Sequence, residues 1–137
     1  MTLSFLKNTF LGIGLTGIII SCSTEDILPS LELNSNGTTL SEADGSLTVH
    51  AVLNTVASKQ ISIPLTFSGT AILSQDYSVI AEQIVIAAGN DSGSITFTGL
   101  QDENLEGVET LIISLGDVQN VLLLSSTTLT IELLDDD

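Results

Sequence analysis

The sequence predicts an all-β fold, an antiparallel β-sandwich, on three observations. From Pro29 onward apolar and polar residues alternate with period two, in short runs rich in β-branched side chains. Gly, Asn, Ser and Asp punctuate those runs, and about seven of them fit into roughly a hundred residues. No run beyond Pro29 carries a helical repeat.

The N-terminal residues stand apart from this pattern. Lys7 precedes an apolar run from Phe10 to Ile20, which ends at Ser21 and the single cysteine, Cys22. A basic start, a short apolar stretch and a small residue at the cut are the order of a secretory signal. The run is shorter than the ~20 apolar residues that span a bilayer. Ile19-Ile20-Ser21-Cys22 resembles the lipobox of bacterial lipoproteins, whose cysteine is lipidated and becomes the first residue of the mature chain. That resemblance implies a signal peptide over 1–21, lipidation of Cys22, and a membrane-anchored protein of the bacterial cell envelope. Residues 22–29 then form an acidic tether. Its Ser23-Thr24-Glu25-Asp26 resembles tags that export lipoproteins to the outer-membrane surface, and a flexible linker is the plainer reading.

The domain is expected over 30–137. Its first strand fits Ser30 to Asn34. Ser46 to Asn54 turns Leu47, Val49, Ala51 and Leu53 to one face, with Thr48, His50 and Val52 on the other. Gln60 to Phe67 aligns Ile61, Ile63, Leu65 and Phe67, while Pro64 on the opposite face predicts an edge strand or a bulge. Further strands fit Tyr77 to Ala87, with Ala81-Glu82 as a place for a break, then Ser92 to Thr98, Glu109 to Leu115, and Thr127 to Leu134. Asp44-Gly45 and Asn36-Gly37 read as turns.

If each connection reverses the chain, strand direction sorts the loops between two ends. Let the top be the end where the Ser46 strand begins. The loops before Ser46, from Gly69 to Asp76 and from Leu100 to Gly107, and the C-terminus, then all fall at the top. A strand of six to eight residues spans roughly 20 to 26 Å, so the two ends are well separated. The top collects Glu42, Asp44, Asp76, Asp102, Glu103, Glu106, Glu109 and the terminal Asp135, Asp136 and Asp137. The bottom keeps Asp91, Asp117 and Lys59.

The chain carries 17 acidic residues against two lysines, a formal charge of −15 at pH 7, while 43% of its residues are hydrophobic. Such a chain repels nucleic acid and anionic membrane surfaces and favours cations or basic proteins, and its apolar content is enough for a folded core. Two carboxylates 4 Å apart repel by about 4 kcal/mol at an effective dielectric of 20, so a cluster of them calls for a cation. The donors are oxygens without clustered His or Cys, which disfavours zinc and copper. Calcium takes six to eight oxygens in a flexible geometry and suits ligands from several loops better than magnesium does.

Four motifs in order carry a family resemblance: Ser41-Glu42-Ala43-Asp44-Gly45, Gly69-Thr70-Ala71 leading to Asp76-Tyr77, Asp102 to Thr110, and Asp135-Asp136-Asp137. Together they resemble the Calx-beta domain of sodium-calcium exchangers, an integrin β subunit and bacterial surface proteins. The resemblance covers about Ser30 to Asp137 and implies a seven-stranded immunoglobulin-like sandwich that binds calcium through acidic loops at one end. It further implies ligand roles for Glu42, Asp76, Asp102, Glu106, Glu109, Asp135, Asp136 and Asp137. Gln101 and Gly107-Val108 stand where calcium-binding members are more acidic, which implies one or two ions or weak binding.

The function expected is therefore non-catalytic: a lipid-anchored calcium-binding module with a structural, adhesion or cell-communication role and a protein or matrix partner of unknown identity. One alternative is a metal-independent acidic module that docks a basic protein. Another is a hydrolase using Glu106 and Asp102 as acid and base, disfavoured because the chain has one Tyr, four Phe and no Trp to build a sugar platform. His50, the lone histidine, reads as surface, and no nucleophile elbow or metalloprotease motif is present.

Overall fold

The computed structural model describes residues 27–43, 45–123 and 127–137. The signal peptide expected over 1–21, the lipidation at Cys22, most of the tether and Asp44 lie outside the described residues. Ten strands follow one another: β1 Ser30–Ser35, β2 Thr39–Ser41, β3 Ser46–Leu53, β4 Ile61–Gly69, β5 Tyr77–Val79, β6 Gln83–Ile86, β7 Ser92–Gly99, β8 Glu109–Leu115, β9 Leu122–Leu123 and β10 Thr128–Leu134. They form two five-stranded sheets, β5-β7-β3-β1-β9 and β2-β10-β8-β4-β6. The architecture is the expected all-β sandwich, with ten strands among the described residues where seven were expected.

The additional strands have physical explanations. Both β2 and β9 are too short to show a two-residue period, and each is held by parallel pairing, β2 to β10 and β9 to β1. The expected Tyr77 to Ala87 strand breaks at Ile80–Glu82 and changes sheet: β5 pairs with β7, whereas β6 pairs with β4. Every other pairing is antiparallel, so the strand directions set the tops and bottoms of the loops as the reversal argument expects.

Alternation fills the core. Leu31, Leu33, Leu47, Val49 and Ala51 of one sheet face Ile63, Ile84, Ile86, Leu111, Ile113 and Ile131 of the other, all essentially inaccessible to water. Each fully buried Leu, Ile or Val side chain among them contributes about 1.5–3 kcal/mol. Phe67, Tyr77 and Phe97 meet from three strands, with the Phe67 and Phe97 rings edge to face at 5.4 Å. Pro64 sits at a changeover in β4, whose residues up to Pro64 pair with β6 and from Leu65 onward with β8. Its carbonyl accepts the Gly116 N–H just past the end of β8. The donor that Pro64 lacks would face Gly116, outside the β8 ladder that begins at Leu65↔Leu115, so the proline sits at the changeover of an interior strand and not on the edge strand expected.

Candidate metal centre at the acidic end

Four carboxylates from three segments converge: Glu42, Asp76, Glu106 and Glu109 each offer an oxygen within 4.8 Å of the others. Backbone geometry brings them there. Glu42 follows β2, and its N–H donates to the Leu134 carbonyl at 3.0 Å, so the β2–β10 pairing fixes it beside the C-terminal strand. Asp76 ends the loop after β4, where its Oδ2 accepts the Ile72 N–H at 2.5 Å. Its carbonyl accepts the Leu100 N–H at 2.9 Å, joining that loop to the next acidic one. Glu109 opens β8 opposite Leu133.

Two tight backbone approaches make this packing possible. Gly69 has φ of 113°, and a Cβ there would lie 2.1 Å from the Thr110 carbonyl oxygen. In its absence the Thr70 and Ala71 N–H groups both donate to that oxygen, while the Thr110 N–H donates to Thr70 Oγ1. Gly99 lies against the first acidic segment, where a Cβ would meet the Ser41 carbonyl oxygen at 2.0 Å and Glu42 Cα at 2.9 Å. Sequence reasoning missed Gly99. Its only signal is its position between the last alternating residue of a strand and the acidic loop.

A model of the Calx-beta domain matches residues 25–137. The chain belongs to the Calx-beta domain family. Among solved structures, the apo-form Calx CBD1 domain superposes with a TM-score of 0.66 at 23% identity, covering 80% of this chain and 99% of that one. The Calx CBD2 domain gives 0.60 at 10% identity over 79% and 87%. The two-domain CBD12 from CALX1.2 gives 0.66 at 22% identity, and the chain spans 46% of its length. At these identities the likeness is one of fold. No curated protein matches the chain.

The other acidic residues of this Calx-beta domain are arranged differently from the central four. Asp135 Oδ2 accepts the N–H groups of both Glu106 and Gly107 at 2.9 Å, and its Oδ1 accepts the Asp137 N–H. It therefore clamps the loop that presents Glu106, and these bonds, Gly107's foremost, hold its carboxyl below the usual range. Asp102 is turned onto its own loop, accepting the N–H and side-chain amide of Asn104 at 2.6 and 2.8 Å. Asp136 and Asp137 are exposed. Asp137 is raised by desolvation, then by Asp136 and Asp135.

Electrostatics in the centre is repulsive. Glu42 is 3% exposed and Asp76 4%. Burial first, then the charges of Asp135 and Asp76, raise the Glu42 carboxyl. Glu109 is pushed up to about 7 by burial, by a hydrogen bond with the Asp76 carboxylate and by the surrounding charges. Glu106 is raised by desolvation and by Asp76 and Asp102. Lys59, the only lysine or arginine among the described residues, lines a cavity at the opposite end. Glu42 Oε1 and Glu109 Oε2 are buried without a hydrogen-bond partner. Orphaned buried carboxylate oxygens are costly unless something positive reaches them. An all-oxygen set with two free buried oxygens fits a hard divalent cation.

Proposed function

We propose that this Calx-beta domain is a non-catalytic calcium-binding module of a lipoprotein held at the bacterial cell envelope through Cys22, with a structural or adhesive role in cell communication. The observation that carries the calcium reading is the four-carboxylate centre, with buried oxygens left unpartnered in Glu42 and Glu109. Glu42, Asp76, Glu106 and Glu109 would hold the ion. Bound calcium would neutralise the mutual repulsion of carboxylates whose oxygens lie within 4.8 Å of one another. A structural relative, the calcium binding domain CBD12 of CALX1.1, carries that property in its own description. The envelope reading is supported by the lipobox-like Ile19 to Cys22, with the family match starting just beyond it at residue 25.

A hydrolase reading draws no support from the acidic end. Asp102 is committed to Asn104, whose N–H and side-chain amide both donate to its carboxylate.

The deciding experiment is thermal unfolding of the protein in calcium and in chelator. Calcium at 100 times its Kd should add about 2.7 kcal/mol of stability. Melting that is unchanged up to millimolar calcium overturns the reading, because extracellular calcium modules bind at about 10⁻⁴–10⁻³ M. Mass spectrometry of the membrane-extracted chain, with Cys22→Ser as the comparison, tests the anchor.

A further inference from the structure

The end opposite the acids has its own character. Ile27, Leu28 and Val56 are 88%, 38% and 60% exposed, and all three line one cavity of about 530 Å³ together with Lys59. Leu122 and Leu123, 55% and 47% exposed, adjoin them, because the Leu122 N–H donates to the Pro29 carbonyl and β9 pairs with the start of β1. Five aliphatic side chains thus stand in water at the end where the chain enters the fold. Acids of the fold near this end are Asp117, which lines the cavity, Asp91, whose carbonyl accepts the Leu53 N–H, and Glu32 on β1, and Glu25-Asp26 precede Ile27 in the sequence.

We propose that this end rests on a lipid bilayer, with Ile27, Val56 and Leu122 entering the headgroup boundary and Lys59 at the lipid phosphates. The inference builds on the lipid anchor proposed above. Covalent reach is the first argument. Four residues lie between Cys22 and Ile27, and the five Cα-to-Cα steps span at most about 18 Å. An anchored Cys22 therefore keeps the apolar end closer to the bilayer than the ~25 Å length of the sandwich strands. Charge is the second. An anionic leaflet repels the end holding Glu42, Asp76, Glu106, Glu109 and the terminal aspartates more strongly than the lower end, which has fewer acids and the single Lys59 to offset them. Aliphatic side chains that dip about 5–10 Å into the boundary between headgroups and acyl chains gain from burial there. The acidic centre is then turned outward, toward the medium that supplies its cation.

The sequence has no tryptophan, so single-tryptophan variants report on position without background. Val56→Trp and Ile27→Trp would report the lower end, and Leu105→Trp, at an 81% exposed site, the acidic end. The chain from Cys22 onward is coupled through its only cysteine to a maleimide lipid in vesicles containing acyl-brominated lipid. This attachment works whether or not the cell lipidates Cys22, so failure of the natural anchor shows separately, in the Cys22 mass measurement. The expected result is blue-shifted, bromine-quenched emission from Val56→Trp and Ile27→Trp and unshifted emission from Leu105→Trp. A Val56→Asp, Leu122→Asp double substitution should return the Ile27→Trp emission to its aqueous wavelength. Lower-end reporters that remain in water on vesicles overturn the proposal. So does a shift that appears only when envelope proteins are added, which would assign the surface to a protein partner.

Discussion

Glu109→Gln tests the physics of the centre most directly, because its effect should change sign with conditions. Glu109 is pushed up to about 7 from its ordinary 4.5, so the folded protein binds more protons than the unfolded chain between those values. A raised carboxyl contributes stability that is complete below about 4.5 and lost as pH rises through about 7. The metal-free protein should therefore melt higher at pH 5 than at pH 8. A shift of that size corresponds to about 3 kcal/mol, and screening by water on the open side reduces it to about 1–2 kcal/mol. For a domain of this size that is a difference of roughly 5 °C.

Gln at 109 resembles the protonated acid: it removes the charge and keeps a donor for Asp76. In chelator at pH 8, Glu109→Gln should raise the melting temperature by most of that difference, and at pH 5 it should have little effect. In saturating calcium at pH 8 the order reverses, since the variant has lost a ligand oxygen charge and gains less from the ion. Thermal unfolding followed by circular dichroism over pH 5–8, in chelator and in calcium, measures all of this. A Glu109→Gln protein destabilised equally with and without calcium would refute the repulsion argument. A metal-free wild type whose melting ignores pH would refute it as well.

Further substitutions probe the parts that position the centre. Gly99→Ala should lower both melting temperature and calcium affinity, because its Cβ would occupy the space of the Ser41 carbonyl; unfolding and calcorimetric titration measure the two. Asp135→Ala should release the Glu106 and Gly107 amides and weaken calcium binding, which hydrogen exchange at those two amides reads directly. Phe97→Ala removes a fully buried ring packed on Phe67 and Tyr77 and should cost about 3–5 kcal/mol in denaturant unfolding, with or without calcium.

Much of the fold is legible in the sequence because the sandwich buries one face of each long strand. Leu47, Val49, Ala51 and Leu53 could be assigned from alternation alone, and all four are buried. Reversal of direction then placed Glu42, Asp76, Glu106 and Glu109 at one end without knowledge of which strands pair. The contribution of β2 was not legible. Leu40 is its single buried residue, and its location depends on parallel pairing to a strand more than ninety positions away. Nor does the sequence divide the carboxylates by task. Asp135 clamping a loop, Asp102 closing its own turn and Glu109 facing Asp76 are differences of backbone position that composition and spacing do not encode.

That division bears on how the centre would take up its ion. Glu42, Asp76 and Glu109 stand on backbone tied to neighbouring strands, and two of the three are almost fully buried. Glu106 stands on a loop whose Leu105 and Val108 are 81% and 66% exposed and whose Gly107 has nothing within 4 Å of a Cβ. Few packed contacts mean low local stability, so this loop depends on the Asp135 clamp. A cation would meet three carboxylates already in place and recruit the fourth from a loop held at one point. The three fixed groups repel one another without the ion, and the loop gains order with it. Calcium should therefore change two observables by different routes: the global melting temperature through the fixed acids, and amide protection from Glu103 to Val108 through Glu106. Glu106→Gln should diminish the second change more than the first. Equal loss of both would place Glu106 among the fixed ligands.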